Sequence, residues 1–210
     1  MTDIRHADQV RNHARWRAGW HSGRRSYAWL LTLGAESGLR QLANQYQYAL
    51  VDLPGFDLMP LEWMHIVVQE VGFADEISDE QLERTLATTR SRMAEVPPPS
   101  LAFHHAVVLP ESLALPAEPQ STLLDLRSTV REATGEALGS AVPSEPEDID
   151  QHVSLAHSTT EGPAVFAVAT LGATPVDPVT IKVPELSLVK LNRDHSCPEW
   201  EAVAQVPFGG

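Results

Sequence analysis

The chain has 210 residues, 43% of them hydrophobic and 20% charged, which is ample for a packed core and ordinary for a globular protein. A net charge of −13 argues against a surface built to hold long nucleic acid, and no apolar run approaches the roughly 20 residues that span a bilayer. The lone cysteine, Cys197, excludes an internal disulfide framework and a multi-cysteine zinc site; with no signal peptide in the first 25 residues, it points to the cytoplasm.

The charge is unevenly spread. Residues 1–25 hold Arg5, Arg11, Arg15, Arg17, Arg24 and Arg25 against Asp3 and Asp8, a local +4 that leaves −17 elsewhere. Such a run reads first as a solvated helix face, and second as a patch that draws a small anion. A helix is predicted over residues 4–18, docked by Trp16 and Trp20. Residues 1–22 therefore form a basic helical segment ahead of one domain over 23–210.

Residues 27–33 are aromatic and apolar and end at Gly34, so they read as a buried strand. Leu39, Leu42, Ala43, Tyr46, Ala49 and Leu50 then recur at helical spacing, stopped by Pro54-Gly55. Residues 61–71 read as a strand. Ser78 with Gln81 forms a capping box that opens a helix to about residue 95, where three prolines end it. Residues 101–109 and 113–115 read as a strand pair, 121–138 as a helix closed by Gly139, and 141–150 as an acidic, proline-rich loop. The chain closes with strands over 152–157, 180–191 and 200–206 and a short helix over 163–171. No phosphate-binding glycine loop interrupts this order.

Two strands echo each other: His65-Ile66-Val67-Val68 and His152-Val153-Ser154-Leu155. An α+β fold with two related lobes follows. Residues two apart on a strand share a face, so His152 goes with Ser154, and His65 with Val67 and Gln69. Two imidazoles with ordinary pKa values of about 6.5 can divide the work of a phosphodiester reaction. One takes a proton from the attacking oxygen and the other protonates the leaving oxygen. Hydrogen bonds, such as one from the Ser154 hydroxyl, can carry the phosphate charge without metal or cofactor. By spacing alone, a histidine in an apolar strand is more often a hydrogen-bonded structural residue.

The motifs are more specific together. Residues 60–69 (Pro-Leu-Glu-Trp-Met-His-Ile-Val-Val-Gln), followed by Gly72-Phe73, resemble the first motif of the 2′-5′ RNA ligase-like, two-histidine phosphoesterase family. Residues 152–158 (His-Val-Ser-Leu-Ala-His-Ser) resemble the second. The opening strand, residues 188–194 and the closing segment agree, so the resemblance runs from about Gly23 onward. It implies a bilobal fold: two antiparallel sheets related by pseudo-two-fold symmetry around a central cleft, with helices outside. It further implies cofactor-free chemistry on a 2′,3′-cyclic phosphate or a 2′-5′ linkage at a nucleotide or RNA end; separately from the resemblance, a monomer is expected. In that implied scheme His65 protonates the leaving oxygen, His152 activates water or a hydroxyl, and Ser154 holds a phosphate oxygen.

One position departs. The family pattern has serine or threonine two residues after each histidine, whereas Val67 stands at the first. Losing one such donor puts roughly 10²–10³ in rate at stake unless something replaces it, and Gln69, expected on the same face, is the candidate. The departure keeps two rivals open: a non-catalytic module that binds a nucleotide or RNA end, and an enzyme recruited to another small metabolite. Trp63, expected beside His65, and Arg193, at a strand end, complete the substrate-binding candidates. Trp29 and Trp200 read as core. His157, five residues after His152, is expected to face the core. His104-His105 lack a third ligand at zinc spacing.

Overall fold

The computed structural model describes residues 5–13, 18–139, 142–143, 151–195 and 197–209. In chain order the elements are β1 (Gln9–Val10), β2 (Arg25–Thr32), α1 (Ser37–Leu50), β3 (Phe56–Leu58), a 3-10 turn (Leu61–Trp63), β4 (His65–Phe73), α2 (Asp79–Met93), β5 (Ser100–Phe103), β6 (Val107–Val108) and β7 (Ser112–Pro116). They continue with α3 (Gln120–Leu138), β8 (His152–Ser158), β9 (Gly162–Pro163), α4 (Val165–Ala173), β10 (Val179–Lys182), β11 (Glu185–Asn192) and β12 (Glu199–Pro207).

Two antiparallel four-stranded sheets carry the architecture, ordered β12-β11-β2-β4 and β3-β8-β7-β6. One contiguous apolar core joins them, with Trp29, Leu31 and Ile66 from the first and Leu115, Val153 and Leu155 from the second. Helix α3 covers the outer face of the first sheet, where the Trp29 indole N–H donates to Thr134 Oγ1 at 3.2 Å. Helix α1 covers the second, and Ala106 N donates to the Tyr46 hydroxyl at 3.1 Å. The inner face of the first sheet is also apolar: Ala28, Leu30, Val189 and Leu191 form a smaller cluster against which Trp20, Val67 and Trp200 pack. Among the described residues, no helix is long and apolar enough to cross a membrane.

Local signals explain most of the elements. Ser78 and Gln81 exchange both capping-box hydrogen bonds at the start of α2, and α3 ends where Gly139 adopts φ +66°, a conformation that favours glycine. The strand expected over 180–191 is instead two strands in different sheets. Pro184 lacks the N–H a continuous ladder needs, so β10 pairs with β5 while β11 enters the first sheet between β2 and β12. That pairing also removes β5 from the hairpin expected with β7, leaving only the short β6 there. Most of the loop expected over 141–150 lies outside the described residues.

The helix expected over 4–18 is not formed by the described residues 5–13. Their backbone finds partners in the second sheet's neighbourhood. β1 pairs with β9, Ala7 and Arg11 donate to the carbonyls of Val108 and Pro110, and His13 N donates to Ser158 O. Residues 18–24 lie on the first sheet's side, where Arg24 pairs with Asp75 and Glu76 and Trp20 meets Phe73 edge-on. One N-terminal segment therefore touches both lobes.

Candidate active site

His65 opens β4 directly after the 3-10 turn, and the backbone holds that junction closely. Leu33 N donates to Met64 O at 2.8 Å. A Cβ built on Gly34 would sit 2.3 Å from Glu62 O, so only glycine allows the approach. The His65 ring is half-buried, with Nδ1 2.8 Å from Trp63 O and the ring edge-on to Trp200 at 4.9 Å between centroids. A carbonyl only accepts, so Nδ1 carries the proton of the neutral ring and Nε2 keeps a lone pair. Burial, followed by the positive charges of His152 and Arg193, holds the ring below its ordinary pKa, although the Trp63 carbonyl pulls the other way.

His152 opens β8 and is fixed just as locally. Gln120 brackets the preceding residue, accepting from Gln151 N at 2.8 Å and donating to Gln151 O at 2.9 Å. Val153 and Leu155 are fully buried, and each such apolar anchor contributes about 2 kcal/mol. Ser154 is half-buried and pairs with Ala114 two positions along, sharing the face of His152. The effect of His152 on the pKa of His65 brings the two motif histidines, from different sheets, into one electrostatic neighbourhood with Arg193. The Arg193 guanidinium stands 5.4 Å from the Trp20 ring centroid.

Both motif strands carry a β-bulge at the same offset. In β4 the register passes from Leu30↔Val67 to Trp29↔Gln69, so Val68 is the extra residue. In β8 it passes from Ala114↔Ser154 to Leu113↔Ala156, so Leu155 is extra. Each extra residue lies three after its histidine, and each reverses the alternation beyond it. Two expectations change as a result.

Gln69 does not reach the cleft. It is fully buried, and its amide N–H groups donate to Glu70 O at 2.8 Å and Pro143 O at 2.9 Å. The donor expected to stand in for the missing hydroxyl is therefore spent elsewhere. His157, expected to face the core, is turned onto the face of His152 and Ser154. Its ring is pushed down to a pKa of about 3 by burial first, then by the charges of His13, His65, Arg193 and His152, which places it among them.

Val67 shares the face of His65 but packs into the apolar cluster with Leu30 and Val189. Trp63 ends the 3-10 turn and meets Trp200 edge-on at 4.7 Å. Trp200, expected in the core, is half-buried and walls the His65 side. Trp29 is core, as its period suggests. His104 and His105 are exposed, His104 lying 3.6 Å from the Glu118 carboxylate. Among the described residues, no three His, Cys, Asp or Glu side chains group to hold a metal ion.

Sequence reasoning missed His13 as well. Its ring stacks on His157 at 4.1 Å, and its Nδ1 lies 3.3 Å from the Glu111 carboxylate. No periodicity marks either event: His13 sits in a segment that reads as helical, and neither bulge contains a glycine or a break in hydrophobicity.

The family model described as the 2′-5′ RNA ligase superfamily matches residues 20–195. Among solved structures, TT0787 of Thermus thermophilus is similar at 18% identity over 89% of this chain and 98% of that one, with a TM-score of 0.65. E. coli LigT complexed with 3′-AMP is similar at 12% identity over 89% and 99%, with a TM-score of 0.66. LigT complexed with phosphate is similar at 12% over 90% and 100%, at 0.59. No curated protein sequence matches the chain. The structural likeness establishes the fold, two antiparallel sheets with helices outside.

Proposed function

The chain belongs to the 2′-5′ RNA ligase superfamily, and on that premise we propose that it is a phosphodiesterase acting on the 2′,3′-cyclic phosphate or 2′-5′ linkage of a small nucleotide or RNA end. One observation carries the reading: His65 and His152 come from different sheets into mutual charge range, with His65 fixed by its Nδ1 on Trp63 O. The 3′-AMP and phosphate bound by the LigT structures support a ligand of this class.

In the proposed reaction a water oxygen attacks phosphorus while the bond from phosphorus to a ribose oxygen breaks. His65, held neutral with a lone pair on Nε2, takes the water proton. Protonated His152 gives its proton to the leaving ribose oxygen. This order reverses the one the resemblance implied, because burial and two neighbouring positive charges disfavour a protonated His65. Ser154 donates to a non-bridging oxygen, and Arg193 adds positive charge nearby. Neither histidine needs a metal to act. Turnover of the four 2′,3′-cyclic mononucleotides and a 2′-5′ dinucleotide, with EDTA present, tests the proposal; no turnover of any of them overturns it.

Val67 favours a second reading, a module that binds the same ligands without turning them over. Its side chain adds apolar surface beside His65 where the family pattern has a hydroxyl.

A further inference from the structure

Helix α4 is apolar on both faces, although only one of them meets the rest of the chain. Ala167 and Leu171 are buried, while Val165, Phe166, Ala169, Gly172 and Ala173 point outward. Phe166 is 73% exposed and Val165 60%. The hydroxyls of Thr170 and Thr174 donate back to Phe166 O at 2.9 Å and Thr170 O at 2.8 Å, so they serve the helix itself. A helix that is apolar all round belongs in an interior, and a large exposed apolar patch marks a contact surface.

The outward face has a relief of its own. Phe166 stands at one end. At the other, two turns along, Ala173 and Pro175 meet Asn44, Tyr48 and Ala49 of α1 around an open hollow of ≈ 460 Å³. Tyr48 is itself 84% exposed. Gly172 has open space where a Cβ would go; glycine weakens a helix, and nothing in this chain requires it there. Residues 41–51 and 162–176 contain no Asp, Glu, Lys, Arg or His, in a chain of net charge −13.

We propose that a second copy of this chain docks on this face, with α4 antiparallel to its counterpart about a two-fold axis. A pairing centred between Ala169 and Thr170 sets Phe166 of each copy over Gly172 and Ala173 of the other, with its ring in the other's hollow. A two-fold contact requires a patch that is its own complement, and here protrusion and hollow lie on one helix face. Charge selects the same partner. Two copies at −13 each repel over most of their surfaces, and on this uncharged face they meet without opposing like charges. With aromatic side chains near roughly 200 Å² each, Phe166 and Tyr48 present about 300 Å² per copy, which places the contact among small, reversible interfaces. The hollow opens beside α1, on the side of the second sheet away from the cleft, so docking leaves His65 and His152 accessible. The dimer departs from the monomer expected from the sequence and stands apart from the phosphodiesterase reading.

Sedimentation velocity over about a hundredfold range of protein concentration tests this. The wild type should pass from one chain mass to two, and added salt should favour the dimer by screening the net charge. Phe166→Asp and Gly172→Leu should each weaken association about tenfold or more. Their Tm should stay close to wild type, since both positions are exposed in the single chain. In a Cys197→Ser background, Ala169→Cys, next to the axis, should cross-link to its own counterpart under oxidation. Phe166→Cys should cross-link far less, because its counterpart lies about 10 Å along the antiparallel helix, beyond disulfide reach. A wild type that keeps one chain mass throughout, a dimer that salt disperses, a dimer that either substitution leaves intact, or the reverse order of cross-linking would overturn the assignment.

Discussion

The Nδ1 atom of His65 lies 2.8 Å from the carbonyl oxygen of Trp63, two residues earlier in the chain. That bond fixes the tautomer, and burial, then the charges of His152 and Arg193, hold the ring below its ordinary pKa of 6.5. A base works only when neutral, so kcat/KM should rise as pH rises through this depressed pKa, with the midpoint of that limb below the ordinary histidine value of about 6.5. The alkaline limb then follows the loss of the acid's proton. A pH–rate profile on a 2′,3′-cyclic nucleotide checks this; an acid limb centred above 6.5 contradicts it.

Leaving-group chemistry separates the two histidines. A phosphodiester with a p-nitrophenolate leaving group departs without a proton, so it has no need of the acid. His152→Ala should lose turnover of cyclic nucleotides yet keep activity on the aryl ester. His65→Ala should lose both, with a gap between the variants on the aryl ester of about 10²-fold. The opposite ranking would exchange the roles.

Stability should decline in mild acid for a reason specific to these rings. In the folded chain His157 is depressed to about 3 and His65 is also lowered, whereas both return to ordinary values on unfolding. Their contribution is complete above about pH 6.5 and is lost as pH falls towards about 3, because the unfolded state takes up protons first. Melting temperatures recorded from about pH 7 to about pH 4 should fall more steeply for the wild type than for His157→Phe. Parallel curves would remove His157 from the account of acid sensitivity.

Much of this was legible in the sequence, and the failures share a cause. Caps, glycine stops and hydrophobic periods act within a few residues, so α1, the boxed start of α2, the glycine end of α3 and both histidine strands were readable. Bulges are set by tertiary fit. Nothing in Val68 or Leu155 announces an extra residue, yet each decides where a later side chain points: Gln69 into the interior, and His157 onto the strand face of His152, buried against His13. The N-terminal segment misled for a related reason. Its arginines suit a solvated helix, but its backbone gains ladder partners at Gly162 and Pro163 and an acceptor at Ser158 O. Trp200 passed for core because nothing local shows that β12 forms the edge of the first sheet opposite β4, from which the indole packs on the inner-face cluster and meets the His65 ring.

Gly34 and Ser78 give a contrasting pair. A methyl group on Gly34 would press on Glu62 O at 2.3 Å and displace the turn that aims His65. Gly34→Ala should therefore cost roughly 1–3 kcal/mol and most of the turnover. Ser78→Ala removes one capping bond far from the cleft and should cost about 1 kcal/mol with kcat/KM unchanged. Thermal melts paired with initial rates distinguish them; a Gly34→Ala protein with full activity would show that the turn does not position His65.

The most direct measurement follows ring opening of 2′,3′-cyclic mononucleotides by phosphorus NMR, with EDTA present, for the wild type, His65→Ala and His152→Ala. The account predicts conversion to a nucleoside monophosphate by the wild type, and loss of that conversion in each variant with near-native melting. Wild-type conversion that persists in either alanine variant, or that stops when EDTA is added, would contradict two-histidine catalysis in this cleft.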